Sequence, residues 1–213
     1  APASAASVRA CRACGAPLRE TFCDLGLSPM ANSYVRPDRA AFAEPFYPLH
    51  AWVCTDCWLV QLEKFETPEA IFGDYAYFSS YSDSWVEHAR RYVEMACDRF
   101  ALGPASKVVE LASNDGYLLQ HFVKRGVPVL GVEPAANVAQ EAVRRGIPTE
   151  VKFFGVRTAR DLVAAGPGAD LVIGNNVLAH VPDINDFVGG IRILLRPGCG
   201  GPIEVPPLGQ LGD

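Results

Sequence analysis

A doubly wound, parallel α/β sheet preceded by a small β-rich module is the fold this 213-residue sequence predicts. Three observations predict it. From Lys107 onward, strand-length apolar runs alternate with helix-length amphipathic stretches, and right-handed β-α-β crossovers turn such alternation into a parallel sheet. Residues 108–119 read as a buried strand, a tight polar turn and a helix start, and Glu133 closes the strand that follows. Ahead of this region, four of the seven cysteines fall in two Cys-x-x-Cys pairs.

The totals exclude several classes. A hydrophobic content of 49% is enough for a packed core. Nineteen basic against 24 acidic residues leave a net charge of −5, and no Lys/Arg run exceeds a pair, so the electrostatic footprint of a nucleic-acid binder is missing. No apolar run approaches the ~20 residues that span a bilayer, and the first ten residues lack an apolar signal core. A cytoplasmic protein, apart from membranes, is the expectation. An odd cysteine count with paired spacing favours metal binding over disulfides.

Residues 1–66 form the first predicted part. They hold the cysteine pairs, many prolines and short alternating segments such as Leu49-His50-Ala51-Trp52-Val53, which suit β structure. Cys11-Arg12-Ala13-Cys14 and Cys54-Thr55-Asp56-Cys57 each offer two thiolates, and four thiolates favour a structural zinc ion, which can fold a module whose core is too small. Redox-active or merely buried thiols are the alternative. Cys23 is a fifth candidate, while Cys97 and Cys199 read as ordinary residues. Residues 67–106 link the two parts: Thr67-Pro68-Glu69-Ala70 opens a helix, Tyr75-Ala76-Tyr77-Phe78 is an aromatic run, and 84–100 has helical spacing.

Residues 107–213 form the main domain. Strands are expected at 107–111, 127–132, 148–151, 170–174 and 203–205, with helices at 117–125, 136–145, 156–165 and 184–195. Arg196-Pro197-Gly198 reads as helix-terminal punctuation, and Cys199-Gly200-Gly201-Pro202 as an interruption that weakens the next strand.

The turn after the first strand carries the chemistry. It lets main-chain N–H groups at a helix start face a ligand, and a carboxylate ending the second strand can accept hydrogen bonds from ribose hydroxyls. A dinucleotide fingerprint would need Gly-x-Gly-x-x-Gly, and here only Gly116 is present. The pattern Glu110-x-Ala112-x-Asn114-x-Gly116 instead resembles the Glu-x-Gly-x-Gly-x-Gly turn of class I S-adenosylmethionine-dependent methyltransferases, a Rossmann-like fold. Asn tolerates the left-handed backbone that a glycine there would adopt. Candidate cofactor contacts are Glu110, Ala112, Ser113, Asn114, Asp115, Gly116, Tyr117, Leu118, Glu133, Pro134, Asn175 and Asn176. A domain of this shape with another ligand, or none, is the competing reading.

The two cysteine pairs, the run Tyr75-Ala76-Tyr77-Phe78-Ser79-Ser80-Tyr81-Ser82, and the segments 110–119, 131–134 and 175–187 together resemble the sugar C-methyltransferases of antibiotic deoxysugar pathways. The resemblance implies a zinc-binding N-terminal module, an S-adenosylmethionine domain, and methylation at C3 of a dTDP-linked 4-keto-deoxysugar through an enolate. It assigns His180, in Ala179-His180-Val181-Pro182-Asp183, as base or enolate donor, against the plainer role of bonding a backbone carbonyl. It also brings in Tyr75 or Tyr77, against simple packing. Members of that family continue into a further domain with no counterpart before Asp213, so an uncovered sheet edge needing a partner chain or that domain is expected. A catalytically incompetent cofactor-binding or assembly protein, and a methyltransferase acting on an O or N atom, are the alternative functions.

Overall fold

The computed structural model describes residues 9–73, 75–200 and the main chain of Ile203 and Glu204. The described residues divide into two compact units, one running to Ile71 and taking in Pro182–Ile184, the other formed by Phe72–Val181 and the residues from Asn185 onward.

The first unit is built on an antiparallel three-stranded sheet in the order β1 (Glu20–Pro29), β2 (Phe46–Val53), β3 (Val60–Leu62). The alternation at 49–53 lies in β2. Among the described residues the buried core here is Cys11, Leu18 and Cys54, with Ala13, Ala16, Trp52 and Leu59 packed against them, while Phe22, Leu25 and Leu27 of β1 stay exposed. Fully burying one large aliphatic side chain stabilises by roughly 1.5–3 kcal/mol, so one buried leucine and two cysteines cannot order this much chain by themselves. After β3, Thr67 caps the short α1 (Pro68–Phe72): its hydroxyl accepts the Ala70 N–H at 3.2 Å.

The second unit is a three-layer α/β sandwich. Its long entry helix, α2 (Asp83–Phe100), starts where the Ser82 hydroxyl accepts the Trp85 N–H, and ends at Ala101 in a left-handed conformation. The sheet comprises β4 (Val108–Leu111), β5 (Val129–Val132), β6 (Thr149–Glu150), β7 (Ala169–Asn175), β8 (Leu195–Gly200) and β9 (Ile203–Glu204), all paired in parallel. Their order is β6-β5-β4-β7-β8, with β9 also on β7. Helices α3 (Leu119–Lys124), α4 (Ala136–Arg144), α5 (Val156–Ala165) and α6 (Ile184–Leu194) make the connections.

Period-two alternation along the strands splits the core into two halves. Val108, Leu171 and Ile173 face one way and pack with Val93, Leu119, Phe122 and Ile147, whereas Val109, Leu111 and Val172 face the other and pack with Leu162, Phe187 and Leu194. Chain order reverses between β4 and β7, which opens a crevice at their C-terminal ends, the usual ligand position in such sheets.

One expectation is corrected. Leu195, expected to end a helix, and residues 196–200, read as punctuation and interruption, form β8, which follows α6 without a break. The strand is irregular, with Ala169 opposite Leu195 and Leu171 opposite Gly200. That bulge absorbs Pro197 and Gly198, residues a regular ladder rejects. A long-range anchor offsets the poor propensity: Asp170 accepts the Arg196 Nη1 at 2.7 and 3.0 Å and the Lys107 main-chain N–H at 2.7 Å. Of the strand expected at 203–205, the first two residues pair with Gly174 and Asn175, while Gly201, Pro202 and Val205 lie outside the described residues. Among the described residues no helix is long and apolar enough to cross a membrane.

Candidate functional site

In the first unit the two cysteine pairs converge. The sulfurs of Cys11, Cys14, Cys54 and Cys57 all lie within 4.8 Å of one another, with Cys11–Cys57 and Cys14–Cys54 each 3.6 Å apart. A tetrahedral zinc ion with Zn–S bonds of about 2.3 Å needs sulfurs about 3.8 Å apart, so the quartet fits one. Both pairs sit on matching turns: the Cys11 carbonyl accepts the Gly15 N–H and the Cys54 carbonyl accepts the Trp58 N–H, each at 2.9 Å, and Gly15 and Trp58 both have left-handed backbones (φ 79° and 64°). Gln61, absent from the sequence-based candidates, braces the site. Its Nε2 donates to the Cys11 sulfur at 3.2 Å and its Oε1 accepts the Arg12 N–H at 3.0 Å, as an outer partner of a metal ligand does. Cys23 lies on β1, outside the quartet.

In the second unit the turn after β4 takes the shape its glycine-like spacing implies. Ala112, Asn114 and Gly116 have φ of 55°, 51° and 77°, so every second residue is left-handed. Glu133, at the end of β5, ties the turn down: Oε2 accepts the Asn114 N–H and Oε1 accepts the Ala135 N–H, both at 2.9 Å. Burial raises the Glu133 pKa against the pull of these donors. Glu110 is fully buried on β4, and desolvation first, then the charges of Glu133 and Asp115, push its pKa well above the usual carboxylate range.

The crevice is rich in acceptors that want donors. Among the described residues, Glu110 Oε2, Ser113 Oγ, Asp115 Oδ1 and Asn175 Oδ1 are buried with no hydrogen-bond partner, and each such group costs free energy until it is satisfied. S-adenosylmethionine offers ribose hydroxyls, an adenine amino group and an ammonium group, so these residues fit it. Gly131 belongs to the same arrangement, since a Cβ there would lie 2.5 Å from Ser113 Oγ. Tyr117 and Leu118 are buried in the core cluster beside α2, Pro134 is half-buried, and Asn176 is exposed with φ 50°.

The side chains of Asn114 and Asp115 have a role the sequence does not announce: they hold the aromatic segment. Asn114 Nδ2 donates to the Tyr77 carbonyl at 3.0 Å and its Oδ1 accepts the Ser79 N–H at 2.9 Å. Asp115 Oδ2 accepts the Ser80 N–H at 3.2 Å and the Ser80 hydroxyl, and faces Arg145 at 3.6 Å. Asn137, on the first turn of α4, takes the main chain of Tyr75. Ser79, Ser80, Asn137 and Arg145 escape sequence reasoning because the only signal is a scatter of polar residues far apart in the chain.

His180 ends a short 3-10 turn, Leu178–His180, just after β7. It is an exposed side chain, yet desolvation still lowers its pKa below the ordinary imidazole value. Its ring meets Phe72 edge-on at 6.0 Å, Phe72 meets Tyr75 at 5.7 Å, and Tyr75 meets Tyr77 at 6.5 Å. The structure thus brings His180, Tyr75 and Tyr77 into one row. Tyr77 is about half exposed, at 51%.

Residues 11–72 match a family model described as a zinc binding domain, and residues 109–200 match one for a methyltransferase domain. Over 201 residues the chain is 34% identical to the C-methyltransferase NovU of Streptomyces niveus, covering 94% of this chain and 48% of that protein. It is 26% identical over 114 residues to a ubiquinone biosynthesis O-methyltransferase of Rhizobium rhizogenes, covering 48% of this chain and 45% of the relative. Among solved structures, the sugar N-methyltransferase KedS8 from Streptoalloteichus is 21% identical and aligns over 60% of this chain and 50% of its own, with a TM-score of 0.43. The chain spans about half the length of the curated relatives it matches.

Proposed function

We propose that the chain is a zinc-binding, S-adenosylmethionine-dependent C-methyltransferase of the kind its similarity to NovU points to, and that it methylates C3 of a dTDP-linked 4-keto-deoxysugar. The observation that carries the reading is His180, set beside an aromatic row at the end of β7, the strand next to the cofactor turn. The cofactor, when bound, supplies an electrophilic methyl group.

Everything else falls to the chain. The proton on the carbon next to a ketone is acidified because the resulting carbanion delocalises onto the carbonyl oxygen. His180 takes that proton on a ring nitrogen, or donates to the enolate oxygen. Its lowered pKa keeps the imidazole neutral and able to accept at physiological pH. Tyr75 and Tyr77 supply ring faces and hydroxyls that orient the sugar, and the in-line approach of carbon to methyl depends on that placement. Glu133 and the left-handed turn hold the nucleoside end. The cysteine quartet lends stability to the first unit.

The test uses S-adenosylmethionine carrying a labelled methyl group and a dTDP-4-keto-deoxysugar, with a parallel incubation in deuterated solvent without cofactor. Label in the sugar and solvent deuterium at C3 are expected, the second abolished by His180→Ala. The likeness to O-methyltransferases favours an oxygen acceptor as the second reading. Labelled product without C3 exchange would support that reading and discard ours.

A further inference from the structure

We propose that Asn137 is a positioning residue for the acceptor half of the site, fixing the main chain of Tyr75 and, through it, the row of rings that ends on His180. This deepens the function proposed above and rests on it.

An asparagine at a helix N-cap turns its amide back onto the main chain of its own helix, whereas one inside the first turn is free to bind another segment. Asn137 is the second residue of α4, whose N-cap, Ala135, has no side-chain cap, and its amide points away. Nδ2 donates to the Tyr75 carbonyl at 2.7 Å and Oδ1 accepts the Tyr75 N–H at 3.2 Å. Holding both main-chain groups of one residue is what a paired strand does, so the amide fixes the direction of the Tyr75 backbone as well as its location.

The next anchor along the chain is Asn114, which binds the Tyr77 carbonyl and the Ser79 N–H. The Tyr75 ring therefore leaves a backbone tied on both sides, and its edge contacts run to Phe72 one way and Tyr77 the other, with Phe72 against His180. A displacement of about 1 Å in groups that align reacting atoms can cost about 100-fold in rate. Asn137 makes no bond to the turn or to Glu133 among those described, whereas Asn114 is bonded to Glu133 directly. Loss of the Asn137 amide should therefore separate two properties that loss of Asn114 would remove together.

The experiment compares Asn137→Ala and Asn137→Asp with the unaltered chain. Aspartate keeps the size and the acceptor for the Tyr75 N–H, but sets an oxygen against the Tyr75 carbonyl in place of the donor. Both variants are expected to bind S-adenosylhomocysteine within threefold of the unaltered chain by calorimetry and to keep their zinc. Both should lose at least tenfold in kcat for methyl transfer to the ketosugar, and Asn137→Ala, which removes the acceptor of the Tyr75 N–H, should show at least tenfold faster hydrogen exchange at the Tyr75 amide. Full kcat in the aspartate variant would reduce Asn137 to a space-filler, and cofactor affinity falling in step with kcat would make it part of the cofactor site. Either result overturns the proposal. If the unaltered chain transfers no methyl group, it is the functional reading that fails, and Asn137 is then judged by exchange alone: unchanged protection of the Tyr75 amide in Asn137→Ala sinks the assignment.

Discussion

The Glu133 carboxylate accepts the main-chain N–H of Asn114 at 2.9 Å, joining the end of β5 to the middle of the left-handed turn after β4. Its other oxygen takes the Ala135 N–H at the entry to α4. One side chain thus sets the spacing of two loops that face the crevice at the C-terminal ends of the strands, and the Asn114 side chain carries the same constraint outward to Tyr77 and Ser79. Cofactor turn and aromatic segment are consequently held by one hydrogen-bonded chain.

Glu133→Gln tests the first link. The substitution leaves one oxygen and turns an NH₂ group towards a main-chain donor, so one bond to a charged acceptor is lost and two donors are opposed. Such bonds contribute about 1.5–3 kcal/mol. Affinity for S-adenosylhomocysteine is expected to fall at least tenfold, about 1.4 kcal/mol, with unchanged zinc content. Unaltered affinity by calorimetry would remove Glu133 from the cofactor site.

How much of this was legible in the sequence differs by element. The parallel sheet followed from alternating apolar runs because β4 and β7 are mostly buried on both faces, and the left-handed backbone at Asn114 followed from its standing where the resembled turn has a glycine. β8 was hidden, because Pro197 and Gly198 speak against a strand locally while the partner that holds it, Asp170, binds Arg196 from 26 positions earlier. The clasping of residues 75–80 was hidden for the same reason: Asn137 and Tyr75 are 62 positions apart, and no periodicity encodes their bond. Local patterns reported what each segment prefers, whereas these contacts arise only when segments meet.

The quartet predicts a metal-dependent first unit. Structural zinc contributes roughly 10–16 kcal/mol of apparent binding free energy at neutral pH, and the buried apolar core there, among the described residues, is Cys11, Leu18 and Cys54. Cys54→Ser is expected to lower zinc below one per chain and to expose residues 11–62 to limited proteolysis. Cys23→Ser, a change on β1 outside the quartet, should leave both unchanged. Full zinc content in the Cys54 variant would show that this thiolate is not a ligand.

Ala112 sits at φ 55°, where an L-residue is strained by about 1–2 kcal/mol. Glycine relieves the strain but costs about 0.5–1 kcal/mol in unfolded-state entropy. Ala112→Gly should therefore raise stability by up to about 1.5 kcal/mol, while Ala112→Val, β-branched in the same conformation, should lower it. Thermal melts of the three chains give the order directly, and a glycine variant less stable than the parent would mean that the alanine methyl contributes packing worth more than its strain.

Glu110 governs the dependence of stability on pH. Its folded-state pKa is raised, first by desolvation and then by Glu133 and Asp115, above the unfolded value of about 4.3. Between those two values the native state retains a proton that the unfolded chain has released. The contribution of Glu110 is therefore complete below the unfolded pKa and is lost as pH rises through the folded one, at up to about 1.4 kcal/mol per pH unit. Glutamine resembles the protonated acid and cannot ionise, so Glu110→Gln should gain on the parent steadily as pH rises. Urea midpoints at pH 5.5 and 8.5, both mild enough to keep zinc thiolates ionised, measure the difference. A variant whose deficit or advantage is the same at both pH values would mean that Glu110 is already a carboxylate in the folded chain, satisfied by donors that outweigh its burial.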